Sequence, residues 1–134
     1  MPSHLLTMLP NFFAYFSVAI VLLAVFLLVY INVTPYDELA LIRAGNSAAA
    51  VSLSGALLGF VIPVANVIAH SDTIADLAGW GAIAGTIQIL AYLIARFALP
   101  HINEDIPAGK AAPAIFLAAA SVSIGLINAA CMTY

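Results

Sequence analysis

The chain has 134 residues, of which 65% are hydrophobic and only 7% are charged, whereas about 25% of the residues in an ordinary soluble domain are charged. So few charges cannot keep so apolar a folded surface in water, which excludes a soluble globular domain. The net charge of -3 reflects too few basic residues to neutralise a phosphate backbone, and we therefore expect no nucleic-acid partner.

Four apolar stretches are long enough to cross a bilayer, because about 20 helical residues cover roughly 30 Å of hydrocarbon. They extend from Asn11 to Val33, from Gly45 to Ala69, from Thr73 to Phe97 and from Ala111 to Met132. No Lys, Arg, Asp or Glu lies deep inside any of them. The sequence therefore predicts an all-α membrane protein with four transmembrane helices, in a single domain that covers residues 1–134.

The first connection between spans predicts a short surface helix at residues 35–44. Thr34, Pro35 and Asp37 have the arrangement of a capping box, with a hydroxyl at N-cap, proline at N1 and a carboxylate at N3. Gly45 can end this helix in the left-handed conformation. We expect the helix to lie along the membrane surface. Thr73 at the start of the third span is predicted to be an N-cap in the same way.

The basic residues predict the orientation of the chain. Arg43 lies in the first connection, and Arg96 and Lys110 flank the connection between the third and fourth spans. Because lysine and arginine of short loops are retained in the cytoplasm, both connections should be cytoplasmic and both termini periplasmic. Three charges also leave the opposite orientation open.

A tandem duplication of a two-helix unit is a further prediction. A helix, a connection that contains proline and an Ala-rich helix occur twice, over residues 11–69 and 73–134. Gly45 and Gly109 end the two connections. Each unit has two spans, so the two copies would have the same orientation in the membrane.

Small and polar residues recur at helical spacing inside the last three spans, where such residues allow close packing and interhelical hydrogen bonds. Gly55 and Gly59 form a GxxxG pattern. The candidate pore or helix-interface residues are Ser52, Gly55, Gly59, Asn66, Gln88, Ser121, Gly125 and Asn128. Their amides either bond across helix interfaces or line a polar path for a solute or ion. Neutral amides fit a passive channel better than a proton-coupled pump.

Two acidic pairs lie in the connections, Asp37 with Glu38 and Glu104 with Asp105. On the predicted cytoplasmic face they are candidates to attract a cation or a basic protein partner, and solvated helix caps are the alternative interpretation. The sequence contains no recognisable nucleophile and base, phosphate-binding glycine loop or zinc-ligand spacing. We therefore expect no enzyme activity, no cofactor and no metal site.

Several segments carry a resemblance to a known family. They are Thr34 to Glu38, Gly45 to Ala50, Ser54 to Pro63 and the ending Asn128 to Tyr134. With these segments the chain resembles the YjfL-like bacterial proteins, a family with a domain of unknown function numbered 350. The resemblance implies a small bacterial inner-membrane protein with four spans, built from a duplicated two-helix unit. It implies no catalytic residues. Family members with a well-preserved repeat have Gly-Asn before each Ala-rich helix, whereas the second copy here has Gly109-Lys110.

Two functions from different classes fit these observations. A homo-oligomer that forms a passive channel or permeation pathway for a small solute or ion is the first hypothesis. A membrane anchor or scaffold that recruits a cytoplasmic partner, such as an envelope-stress protein, is the second. The sequence does not decide between them.

Overall fold

In a computed structural model, which describes residues 2–132, the chain folds into six α-helices. The helices are α1 (Pro2–Val33), α2 (Glu38–Arg43), α3 (Ser47–His70), α4 (Ile74–Ala98), α5 (Ile102–Asp105) and α6 (Ala111–Cys131). Four of them, α1, α3, α4 and α6, are long and apolar enough to span a membrane. The predicted all-α fold with four transmembrane helices is thereby confirmed.

The short helices α2 and α5 lie at the same end of the bundle. The side-chain amide of Asn46, which follows α2, donates to the backbone oxygens of Ile106 and Pro107, which follow α5, at 3.0 and 3.1 Å. We call this end of the molecule the capped end. The opposite end carries the short turn between α3 and α4.

The first connection differs from its prediction at one helix end. The N-cap of α2 is Asp37, whose carboxylate accepts from the N–H of Ala40 at 3.3 Å. The predicted cap at Thr34 was wrong, because the N–H of Thr34 still bonds to the carbonyl of Tyr30 in the last turn of α1. The predicted end of α2 is confirmed, since Gly45 has a φ of +90°. Thr73 is also confirmed as an N-cap, and its hydroxyl accepts from the N–H of Asp76 at 3.1 Å.

The longest span begins earlier than expected. α1 starts at Pro2, whereas the sequence predicted a start at Asn11. Pro10 lies inside the helix, where a proline removes one hydrogen-bond donor, and apolar residues such as Leu5 and Leu6 continue the span on its far side. In an apolar stretch of 18 residues, only 6% of α1 is buried, against 56% of α3. α1 is therefore the most exposed of the four long helices and α3 the most buried.

The contact between α3 and α6 is the closest in the bundle. A Cβ atom placed on Gly125 would lie 2.3 Å from the carbonyl oxygen of Gly59, and one on Gly55 would lie 2.3 Å from the Cα of Ala118. The two backbones therefore touch, and no larger residue fits at these positions. This close packing is what the GxxxG pattern predicted.

Candidate functional site

The polar residues of the spans meet where α3, α4 and α6 pack together. The side-chain amide of Gln88 in α4 donates to the carbonyl of Ser121 in α6 at 2.9 Å, and that of Asn66 in α3 donates to the carbonyl of Ala129 in α6 at 2.9 Å. Gln88 is also the neighbour of Gly59, since a Cβ there would lie 2.5 Å from Nε2. The structure thus brings together residues of all three helices that the sequence had placed on separate stripes.

These amides act as links between helices within one subunit. Gln88 and Ser121 are each only 1% exposed, and the hydroxyl of Ser52 bonds back to the carbonyl of Ala49. Two buried amide atoms in the described residues, Oε1 of Gln88 and Nδ2 of Asn128, have no hydrogen-bond partner. The arrangement fixes the register of three helices, and its Gly59 and Gly125 contact leaves no space between the backbones of α3 and α6.

The capped end carries the acidic residues, and they do not share one environment. Asp37 and Glu104 are exposed. Glu104 lies 3.8 Å from the ring of His101, and Asp105 forms an ion pair with Lys110 at 3.4 Å. Glu38, which was expected on the surface, is only 1% exposed. The prediction that both Asp37 and Glu38 are exposed was therefore wrong for Glu38.

Glu38 is buried because of the way its connection folds. The chain leaves α1 at Val33 and begins α2 at Glu38, so the first side chain of α2 turns toward the ends of α1 and α4. The hydroxyl of Thr34 donates to Oε1 of Glu38 at 2.7 Å. Oε2 has no partner among the described residues. A buried carboxylate with one oxygen unpaired is unusual, since buried polar atoms nearly always find a partner.

Three tyrosines surround this carboxyl group. Tyr30 and Tyr92 pack edge to face with ring centres 5.7 Å apart, and Glu38 is close enough to interact electrostatically with both and with Tyr36. The hydroxyls of Tyr30 and Tyr36 are buried without a partner, whereas that of Tyr92 donates to the side-chain oxygen of Asn103. We call the following residues the Glu38 cluster: Tyr30, Thr34, Tyr36, Glu38, Tyr92 and Asn103.

The electrostatics of the cluster favour neutral groups. Burial raises the pKa of the Glu38 carboxyl above its usual value, the hydrogen bond from Thr34 opposes this shift, and the charge of Asp37 adds to it. Burial likewise raises the pKa of the Tyr36 hydroxyl. Neither ion pair in the described part of the chain includes Glu38. The guanidinium of Arg96 lies 5.9 Å from the ring centre of Tyr92.

Sequence reasoning missed this cluster because its members come from three separate stretches of the chain, namely residues 30–38, Tyr92 and Asn103. In the sequence, Tyr30, Tyr36 and Tyr92 indicate only aromatic residues near a membrane interface, which is the commonest position of tyrosine in membrane proteins. The sequence signal that could have indicated the cluster is the occurrence of three tyrosines at one end of the bundle, close to an acidic residue that follows a short loop. That signal does not say which of the two acidic residues in the loop points inward.

The fold and these sites define a class of protein: a four-span helical membrane protein with two short helices that cap the same end. Comparison with known proteins identifies the family. The model of the family described as Domain of Unknown Function (DUF350) matches residues 4–132. The chain belongs to this family, as the resemblance in its sequence implied.

Relatives support the assignment over nearly the whole chain. The chain is 37% identical to the UPF0719 inner membrane protein YjfL of Escherichia coli (strain K12) over 131 residues, which are 98% of this chain and 99% of the relative. It is 34% identical to the UPF0719 transmembrane protein YshE of Bacillus subtilis (strain 168) over 96 residues, 69% of each chain. No solved structure shows significant similarity. Both relatives are named as membrane proteins, and neither name states an activity.

Proposed function

We propose that this protein is a non-enzymatic scaffold of the bacterial inner membrane, which holds a cytoplasmic protein partner at its capped end. The observation that carries the proposal is the state of the interior amides. Gln88 and Asn66 use their amide groups to bond backbone carbonyls of α6, and α3 and α6 are in backbone contact. Amides that are bonded to the backbone and helices in backbone contact favour a rigid scaffold over a water-filled path through one subunit.

The surface proposed for the partner consists of the exposed side chains of the capped end. Asp37 and Glu104 are exposed there, and Asp105 keeps part of its carboxylate at the surface beside Lys110. The bonds from Asn46 to Ile106 and Pro107 hold the two connections together. A partner with a basic surface matches these carboxylates, since complementary charges favour docking and orientation.

The proposed orientation places this surface in the cytoplasm. Arg43, Arg96 and Lys110 are all exposed at the capped end, and positively charged short loops stay on the cytoplasmic side. Both termini would then be periplasmic. A reporter that is active only in the cytoplasm should give a signal when inserted after Gly109, and none when inserted after Ser71.

The scaffold is tested by recovery of the partner from membranes. The double variant Asp37→Asn and Glu104→Gln removes two exposed charges and keeps side chains of similar size. Cross-linked proteins recovered with the wild-type chain should fall at least tenfold with the double variant. Asp72→Asn is the matched control, because it removes an exposed carboxylate at the opposite end of the bundle. Equal recovery with wild type and double variant would contradict the proposal.

An oligomeric passive channel is the second candidate function, and one observation favours it. Small residues of α3 and α6 form a shallow groove on the outside of the bundle, lined among others by Ala50, Ser54, Gly55, Ala118 and Ala119. Small-residue surfaces of this kind allow helices of another subunit to approach closely. A homo-oligomer would then place any pathway between subunits.

Flux measurements separate the two candidates. Purified protein in liposomes should give no flux of ions or small polar solutes above empty liposomes if the protein is a scaffold. Flux that is lost in Ser54→Leu, a variant that fills the outer groove, would support the channel and overturn the scaffold.

A further inference from the structure

The Glu38 cluster contains a set of polar atoms that the protein leaves without partners. Oε2 of Glu38 and the hydroxyls of Tyr30 and Tyr36 are buried and make no hydrogen bond in the described structure. Glu38 and Tyr30 are each only 1% exposed. An ionised carboxylate in such a place has no compensating charge, and a buried group of this kind usually becomes neutral instead. With Glu38 ionised, the cluster therefore lacks one positive charge, which a proton or another cation can supply.

We propose that Glu38 is a proton-binding site, in which Oε2 carries a proton at neutral pH and exchanges it with the water at the capped end. A proton on Oε2 turns that atom from an acceptor into a donor. One bound proton thus removes the uncompensated charge of the buried carboxylate.

A way for the proton to reach Glu38 is present at the surface. A shallow groove beside the cluster is lined by Thr34, Tyr36 and the exposed Asp37, among others. Thr34 is the residue whose hydroxyl bonds to Glu38. The groove therefore borders two members of the cluster, and water in it can approach the cluster from the capped end.

The charged and titratable groups around Glu38 come from every element that packs near it. α1 supplies Tyr30, the connection supplies Tyr36 and Asp37, and α4 supplies Tyr92 and Arg96. α2 itself ends with the exposed Arg43. α3 has no titratable side chain before His70. The second connection adds the exposed His101 and Glu104, which interact with each other. None of these groups forms an ion pair with Glu38 in the described structure, so a proton is the smallest addition that neutralises it.

Infrared difference spectroscopy of the intact protein in lipid tests the proposal, because a protonated carboxyl group has a C=O band that an ionised one lacks. Wild-type protein should show this band at pH 7 and lose it on titration to higher pH. Glu38→Gln, which has the same shape but cannot ionise, should lack the band. Asp37→Asn should retain it. Absence of the band from wild type at pH 7 would overturn the proposal.

Two further measurements identify the occupant and its surroundings. The band should be unchanged when Na⁺ and K⁺ are removed at constant pH. A band that appears only after their removal would show that a metal cation occupies the site, and would overturn the proposal. Tyr30→Phe or Tyr36→Phe should shift the band, because each variant removes a buried polar group that interacts electrostatically with Glu38. No shift in either variant would contradict the assignment of the band to a carboxyl group in the Glu38 cluster. These results do not depend on whether the protein is a scaffold or a channel.

Discussion

The two connections at the capped end have the same backbone design. Gly45 has a φ of +90° and Gly109 a φ of +83°. In each connection the N–H of the glycine bonds to the carbonyl three residues earlier, and the N–H of the next residue bonds to the carbonyl five residues earlier. This pattern is a Schellman motif. In each case the following spanning helix begins two residues after the glycine, at Ser47 and at Ala111.

The side chains placed on these two backbones differ in a systematic way. Counted back from the glycine, Glu38 and Ile102 stand at the same position, and they are 1% and 0% exposed. Directly after the glycine stand Asn46 and Lys110. Asn46 caps α3, accepting from the N–H of Ala49, and bonds to the other connection, whereas Lys110 makes no side-chain cap for α6.

The comparison shows that a carboxyl group is not required by this backbone. An isoleucine fills the corresponding buried position of the second connection. Because a buried polar atom without a hydrogen-bond partner costs free energy of folding, a buried glutamate at one of two equivalent positions indicates a role other than folding. The shared Schellman motifs also agree with a tandem duplication, which remains a prediction.

The largest expected effect concerns the contact of α3 and α6, the helices that follow the two connections. Gly59→Ala places a Cβ 2.3 Å from the carbonyl oxygen of Ser121, and backbone cannot move aside cheaply. We expect a loss of about 3 kcal/mol in the free energy of unfolding, measured by denaturing-detergent titration in mixed micelles. Gly79→Ala is the control, since nothing lies within 4 Å of its Cβ position. Equal effects of the two variants would contradict the close packing.

Asn46 and Lys110 should differ strongly although they occupy equivalent positions. Asn46→Ala removes an N-cap and two hydrogen bonds to the second connection, for an expected loss of about 2 kcal/mol. Lys110→Ala removes only a largely exposed ion pair with Asp105, for an expected loss below about 0.5 kcal/mol. The same unfolding titration compares them. Similar losses would mean that the first connection has no special tie to the second.

The sequence predicted those parts of this protein that depend on local pattern. Length and hydropathy predicted four spans, and the spacing of Gly55 and Gly59 predicted close helix packing. Hydroxyl and glycine positions predicted the cap at Thr73 and the end of α2 at Gly45. Each of these features is decided within one or two helical turns of the chain.

Burial of Glu38 could not be predicted in this way. Asp37 and Glu38 are adjacent and chemically alike, and only the path of the loop decides which one turns toward Tyr30 and Tyr92. The N-cap at Asp37 instead of Thr34 follows from how far α1 continues, which the sequence leaves open over a turn. The partner of Gln88, the carbonyl of Ser121, was unpredictable because backbone acceptors carry no sequence signal.

The two left-handed glycines should be equivalent. Gly45→Ala and Gly109→Ala each place a side chain on a residue with positive φ, and neither Cβ would touch a neighbour within 4 Å. The effect is therefore conformational, about 1 kcal/mol in each connection. Asparagine, which tolerates this conformation better, should lower stability less at both positions. Detergent titration of the four variants checks this, and a large difference between Gly45→Ala and Gly109→Ala would break the equivalence of the two connections.

The replacement of Glu38 tests the chemical difference between the two connections. The pKa of Glu38 is raised in the folded protein, so the folded state holds its proton more tightly than the unfolded state. The stability that this proton contributes is fully present at pH values below 4.5, the ordinary pKa of a glutamate. It is lost as the pH rises through the pKa that Glu38 has in the folded protein. Glu38→Ile places at this position the residue type that the second connection has at Ile102. It should abolish the fall of stability with rising pH and give about 1 kcal/mol more stability at high pH.

The replacement of Glu38 leaves the hydroxyl of Thr34 with hydrogen-bond acceptors. The hydroxyl of Thr34 also reaches the carbonyls of Ile31 and Tyr36, at 3.3 and 3.2 Å, so it keeps an acceptor when Glu38 is gone. Asp37→Asn is the control, because asparagine can still cap α2 and only the charge that raises the pKa of Glu38 is lost. Asp37→Asn should move the fall of stability to lower pH without abolishing it. If the stability of the wild type does not fall with rising pH, the wild type behaves like Glu38→Ile. Glu38 would then be equivalent to Ile102, and the two connections would not differ chemically at that position.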